Sequence, residues 1–333
     1  MAAEALVDGA ASAGQIWRDA PARRRGIITG TMRSCSAQQT RAFSSATFNC
    51  SATTLCAVDT HGQVYAFFLH RNRYAVLKRS GAKGVLAAFS ATRPNELFVA
   101  LHDGMIEVLH VETKGLLGVL RGHRHAVRSM ACHSGQAMLL SCSTDAVMLW
   151  DTDRFMRLRA LAMQPARPLQ DAVFLPSGQL LATCFERAVM LWHTDTFEAA
   201  GACQVPPAHS AVRLKALATS NDSTLLLAAG AGGCAMLYSL LTHTSKTIVL
   251  PDVGAVHQAA WLGRQDRFAL LCGDGALRTL EPRNNELKLI LAPPDGGFFR
   301  RVAVDAIGGG VYRPLRVAAT CTCQHMRDTG MSR

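Results

Sequence analysis

The sequence predicts an all-β fold, a β-propeller of six clear blades plus an incomplete seventh closed by an N-terminal strand. Three observations carry this. One strand motif recurs, a small or branched apolar residue followed three positions later by an aromatic residue or leucine. It runs Val64 to Phe67, Ile106 to Leu109, Val147 to Trp150, Val189 to Trp192, Ala235 to Tyr238 and Leu277 to Leu280. The closing residues lie 42, 41, 42, 46 and 42 positions apart, and a steady period of about 40 residues marks stacked supersecondary units. A turn precedes each motif: His61-Gly62, Asp103-Gly104, Asp145-Ala146, Glu186-Arg187, Gly232-Gly233 and Asp274-Gly275. Tight hairpins need positive φ or a side chain that caps its own turn, which Gly and Asp supply. Finally, Leu97–Leu101, Leu180–Cys184 and Leu225–Ala229 are short, unbroken apolar runs, as expected of strands packed on both faces. No unit carries a helical period long enough for a solenoid of helices.

In chain order, residues 1–24 read as a flexible basic arm, with RDAPARRR at 18–25. Arg41-Ala42-Phe43-Ser44-Ser45 has the look of a presequence cleavage site, but Glu4, Asp8 and Asp19 put acids where transit peptides avoid them. Phe43–Asn49 is also needed as the first strand of blade 1. The propeller spans 25–320, with Gly26–Gly30 expected to supply the outermost strand of the last blade. The third unit is the most explicit. It opens with Gly122-His123 and closes with Trp150-Asp151, with strand-like runs at Ala126–Ala131 and Ala137–Cys142 and a turn at Ser143-Thr144-Asp145. This is the WD-repeat signature, in which His123, Asp145 and Trp150 form a structural relay through Ser141 or Ser143. Asp151, Trp192, Asp103 and Asp274 are structural candidates of the same kind. The long 46-residue interval holds Pro206-Pro207 and Asn221-Asp222, both turn chemistry. Gly230–Gly233 has strands on both sides and no helix after it, so it is a hairpin and not a phosphate-binding loop. In the seventh unit Phe298–Ala306 and Val311–Ala319 offer two strands, with Pro314 expected to interrupt one. Residues 321–333 read as an irregular tail.

Composition narrows the function. At 49% hydrophobic and 18% charged residues the chain is a folded globular protein, and no apolar run is long enough to span a membrane. A net charge of +11 and pI of 9.4 permit an acidic partner, yet with only 6% aromatic residues the stacking platforms of nucleic-acid readers are lacking. Most of the 11 cysteines, Cys50, Cys56, Cys132, Cys142, Cys184, Cys234 and Cys272 among them, fall in apolar patterns, where free Cys acts as a small hydrophobe. Cys321 and Cys323 have no second pair at zinc spacing. The residues give no catalytic, cofactor or metal assignment. Turn residues His61, His102, Arg124, Arg187 and Arg213 are exposed candidates for touching protein partners, although a solvated surface is the default for each.

A longer series is more specific. Gly14-Gln15-Ile16-Trp17, Gly26-Ile27-Ile28, Leu69-His70-Arg71-Asn72-Arg73, Phe98-Val99-Ala100-Leu101, Arg121-Gly122-His123, Leu149 through Phe155, Phe174-Leu175-Pro176 and Cys184-Phe185 follow in order. In that order they resemble the amino-terminal propeller of the TBC domain family member 31 group, from about Gly14 to about Leu291. The resemblance implies a cytoplasmic scaffold at centriolar satellites, the centrosome or the basal body, with centriolar proteins as partners and a role in cilium assembly. That group also has a TBC domain and a coiled coil. The I-x-x-D-x-x-R and Y-x-Q motifs of active TBC domains are absent from these residues, so no Rab-GTPase activation is assigned to them. A propeller portion of a Rab-GTPase-activating protein, and an adaptor for acidic peptide or RNA, are the alternative readings.

Overall fold

A computed structural model describes residues 5–7, 27–30, 32–34, 40–41, 43–59, 61–71, 73–78, 83–144, 146–162, 168–263, 266–292, 297–304 and 317–323. Asp145 and Pro314 lie outside them. Six four-stranded antiparallel sheets follow one another, each running from an inner to an outer strand in sequence order. The inner strands are Phe43–Phe48, Gly84–Phe89, Ser129–Cys132, Leu169–Phe174, Arg213–Thr219 and Val256–Leu262. In blade 3 the first strand starts later than the apolar run suggested, because Ala126–Arg128 belongs to the lead-in from blade 2.

A seventh sheet closes the ring. Gly297–Val304 lies between the inner strands of blades 6 and 1, and pairs with Val317–Cys323. Ile27–Gly30 adds on the outside, parallel to Val317–Thr320. The N-terminal strand therefore takes the outermost place the sequence suggested for it, and covers the outer side of Val317–Thr320. The second strand of the last sheet, Val317–Cys323, overlaps the run expected at Val311–Ala319 and continues into the stretch read as irregular tail, while 311–316 lie outside the described residues. Ala5–Val7, inside the stretch read as a flexible arm, forms a short strand parallel to Met32–Ser34.

Burial explains the apolar runs. Thr54–Asp59 and Glu96–Leu101 are buried at every position, and Leu180–Phe185 at all but the first. These second strands are covered by neighbouring blades on both faces. The core is accordingly divided among the seams: Phe98, Ile106 and Val108 of blade 2 pack on Leu139, Met148 and Trp150 of blade 3. Blades 5 and 6 meet through Leu227, Leu237, Phe268 and Leu270. The longer interval before blade 5 holds a single 3-10 turn, Pro207–His209. Among the described residues no helix is long and apolar enough to cross a membrane.

Candidate functional site

Trp150 is 1% exposed, so its indole N–H must find an acceptor inside the protein. Nε1 donates to Ser141 Oγ at 2.7 Å. His123 lies alongside, with Nε2 2.6 Å from the same oxygen and Nδ1 3.1 Å from Ser143 Oγ. Assigning the neutral tautomer with its proton on Nδ1 satisfies all three bonds. His123 then donates to Ser143, Ser141 donates to His123 Nε2, and Ser141 keeps a lone pair for the indole. Of the two hydroxyls left open by the sequence, Ser141 meets the tryptophan and both meet the histidine.

Blade 4 repeats the central bond. Trp192 Nε1 donates to Thr183 Oγ1 at 2.8 Å. The reading of the sequence overlooked Thr183, although a signal was present: in both blades the hydroxyl stands nine residues before the indole. In the other four, the same place holds Val58, Ala100, Ala229 and Leu271. Their closing residues Phe67, Leu109 and Leu280 carry no polar hydrogen, and Tyr238 settles its hydroxyl on His243 Nδ1. Asp103 and Asp274 each accept the amide two residues on, from Met105 and Ala276 at 3.0 Å. Asp274 also pairs with Arg278 at 2.5 Å, and that hydrogen bond pulls its carboxyl below the ordinary range. Asp151 accepts from the amides of Asp153 and Arg154, capping the turn beyond its strand.

The turns before the closing strands gather on one face. Leu169 N donates to Thr144 O, Leu214 N to Glu186 O and Gly232 N to Gly254 O, so each of these turns is tied to the lead-in of the next blade's inner strand. They surround the mouth of a central channel of about 1520 Å³. Equivalent side chains line the channel: Ser44, Val85, Gln170, Lys215 and His257 on the inner strands, and Arg128 just ahead of the inner strand of blade 3. Several bridge blades. Ser44 Oγ donates to Val85 O, Arg128 Nη1 to Leu169 O and Gln170 Oε1, and Lys215 Nζ lies 3.4 Å from His257 Nδ1. Deeper, Ala87 N donates to Ser45 Oγ, Ser129 Oγ to Ala172 O and Leu217 N to Asp171 Oδ2. These bonds hold the inner strands at fixed separations.

The residues singled out as partner-contacting all sit on this face. His61, His102, Arg124 and Arg213 are exposed, and His102 lines the channel. Arg187 is a correction. It is half-buried, its Nη1 donating to Ser210 O at 2.6 Å beside Arg213 Nη1 on the same carbonyl at 2.7 Å. Arg128, Lys215 and His257 were not foreseen. Their signal was a second recurrence, 22 or 23 positions before Trp150, Tyr238 and Leu280. Cys50 is also corrected: it is exposed in a turn, outside any strand. Burial raises the thiols of Cys56 and Cys184 well above their ordinary value and that of Cys132 to about 12, which keeps them protonated and inert at neutral pH. Among the described residues, no group of three or more His, Cys, Asp or Glu gathers where it could hold a metal ion.

The WD domain, G-beta repeat family matches residues 114–151, the stretch containing the His123–Ser141–Trp150 contacts. TBC1 domain family member 31 of Homo sapiens is 28% identical over 302 residues, covering 87% of this chain and 28% of the relative. Its Mus musculus counterpart is 30% identical over 283 residues, covering 81% and 28% respectively. The chain is a β-propeller that carries a WD repeat and resembles TBC1 domain family member 31. It spans little more than a quarter of those relatives' length, and no TBC domain is evident in it. A chain from a solved structure titled "Crystal Structure of Mitotic Checkpoint Complex" superimposes with a TM-score of 0.67 at 15% identity, over 78% of this propeller and 79% of that chain. That likeness concerns the fold. WD-repeat propellers are generally non-catalytic and suggest protein partners.

Proposed function

We propose that this chain is a non-catalytic scaffold that holds other proteins on the mouth face of its propeller. Its setting in this reading is the centriolar satellite, the centrosome or the ciliary basal body, where it contributes to cilium assembly. The observation that carries the scaffold reading is the gathering of turn residues from successive blades around one channel mouth, on strands bonded to one another across the seams. Loops held by a rigid frame are the usual place for recognition. The cellular setting rests on the resemblance to TBC1 domain family member 31.

The test is to tag the chain in a ciliated cell, image it against a centriole marker, and identify what co-purifies. Puncta around centrioles and recovery of centrosomal proteins are expected. Diffuse signal with no centrosomal protein recovered would contradict the setting. Recovery of no protein at all would contradict the scaffold itself.

A further inference from the structure

The chemistry of the channel mouth is lopsided. Among the described residues its lining holds two permanent cations, Arg128 and Lys215, three imidazoles, His102, His125 and His257, and one carboxylate, Asp171. Asp171 is committed to the frame: Oδ1 accepts from Ala172 N and Oδ2 from Leu217 N, both at 2.8 Å. Arg128 and Lys215 are exposed. Arg128 uses only Nη1 on Leu169 and Gln170, so its Nε and Nη2 donors have no partner among the described residues. Arg128, just ahead of the inner strand of blade 3, and Gln170, Lys215 and His257, on the inner strands of blades 4 to 6, follow in turn and form an arc of donors. At the equivalent places on blades 1 and 2, Ser44 and Val85 carry no charge.

We propose that this arc receives an acidic peptide segment, an Asp- or Glu-bearing loop or tail of a protein partner, with carboxylates on Arg128 and Lys215. The proposal rests on the scaffold reading and names the chemistry of its partner. A guanidinium fork matches a carboxylate in two parallel hydrogen bonds, whereas an ammonium adds charge with little directional demand. Below the mouth the channel is walled by small and apolar side chains, among them Ala46, Ala87, Val173, Ala216 and Ala259, against which the peptide's own small side chains would pack. The occupant is a polypeptide for two reasons. The volume of about 1520 Å³ exceeds the several hundred Å³ typical of small-molecule pockets. Among the described residues Phe48 is the one Phe, Tyr or Trp in the lining, where a single-stranded nucleic acid would call for several stacking rings.

The experiment measures binding of a fluorescent peptide of alternating Glu and Ala to the intact chain, by anisotropy at low and at physiological salt. An alternating Gln and Ala peptide and a single-stranded oligothymidine serve as comparison probes. The Glu peptide is expected to bind, the Gln peptide to bind at least about tenfold more weakly, and salt to weaken the complex. Arg128→Ala with Lys215→Ala is expected to weaken the Glu peptide by about tenfold or more. Lys114→Ala with Lys246→Ala removes the same charge from outlying positions and should leave binding unchanged. Because Arg128 also bridges blades, the swap Arg128→Lys with Lys215→Arg provides a second variant, which should retain binding. Thermal melting of every variant separates lost recognition from lost folding. Absence of Glu-peptide binding, equal binding of the Gln peptide, equal losses in the two alanine pairs, or tighter binding of oligothymidine would overturn the proposal. The two readings fail separately. Partners that co-purify equally with the Arg128/Lys215 variant leave the scaffold standing and remove the acidic site, whereas recovery of no partner removes the scaffold.

Discussion

Ser141 carries more of blade 3 than its size suggests. It is fully buried and serves both the Trp150 indole and the His123 ring. Ser141→Ala would strand both polar groups away from water, and a loss of about 1–3 kcal/mol is expected in urea unfolding. Thr183→Val should cost less, because Trp192 is half-buried and its N–H can turn to solvent. Equal losses at the two sites would contradict this ranking. A different residue-scale effect comes from Glu96, which is 2% exposed, paired through Oε2 with Arg93 at 3.2 Å, and without a hydrogen bond at Oε1. Burial raises its carboxyl above the ordinary range, with Arg93 opposing. A raised folded-state value means that its contribution to stability is full at acid pH and is lost as pH rises through that value. The stability of the parent relative to Glu96→Gln should therefore improve on acidification from about pH 7 to about pH 4. A difference that stays flat, or moves the other way, would contradict it. His123 and Trp150 were legible as a pair because their dipeptides are distinctive. Glu96 was not, since burial of a carboxylate depends on what a neighbouring blade places over it.

At the scale of elements, the inner pair of blade 5 shows why one glycine is required. The register shifts between Leu214 and Ala216, opposite Gly230 and Ala229. A Cβ on Gly230 would be driven into the carbonyl of Arg213 and come within 2.9 Å of Leu214 Cα. Gly230→Ala should cost about 1–3 kcal/mol, while Gly254→Ala, with nothing within 4 Å of the added carbon, should stay within about 0.5 kcal/mol of the parent. Similar urea midpoints for the two would refute the bulge argument. The hairpin itself was legible from its glycines, but the bulge was not, because it depends on cross-strand register. The blade 6 turn gives the opposite pH behaviour to Glu96. Asp274 is held low by Arg278, so its contribution is present above the ordinary Asp value of about 3.9 and is lost as pH falls through the lowered one. Asp274→Asn should lower the melting temperature at neutral pH, and the gap should close on strong acidification. A gap that widens there would contradict the assignment.

For the whole molecule, the period of the closing strands revealed six blades because each must bury the same apolar face against a neighbour. The joint was legible in outline, since a ring with an unfinished last sheet needs a strand from elsewhere and Ile27–Gly30 precedes blade 1. Its details were not, because the seventh unit repeats no motif of the others. Removal of residues 1–30 should expose the edge of Val317–Cys323, lower the melting temperature and promote self-association. A truncated chain that melts and elutes like the parent would show that the parallel pair contributes nothing to closure. The mouth was the least legible part. Its residues sit at a regular phase, yet Ser44, Val85, Arg128, Gln170, Lys215 and His257 share no chemistry, so nothing in the motif pattern marked them as one surface.

Cross-linking of the tagged chain to its co-purified partners, mapped by lysine, tests most directly whether partners are held at the mouth. Lys83 and Lys215 lie on that face, at the lead-in to blade 2 and on the inner strand of blade 5. Lys114 follows the third strand of blade 2, while Lys246 and Lys288 stand on the outer strands of blades 5 and 6. The account predicts cross-links from Lys83 and Lys215. Cross-links confined to Lys114, Lys246 and Lys288 would contradict it and move the binding surface to the rim and the opposite face.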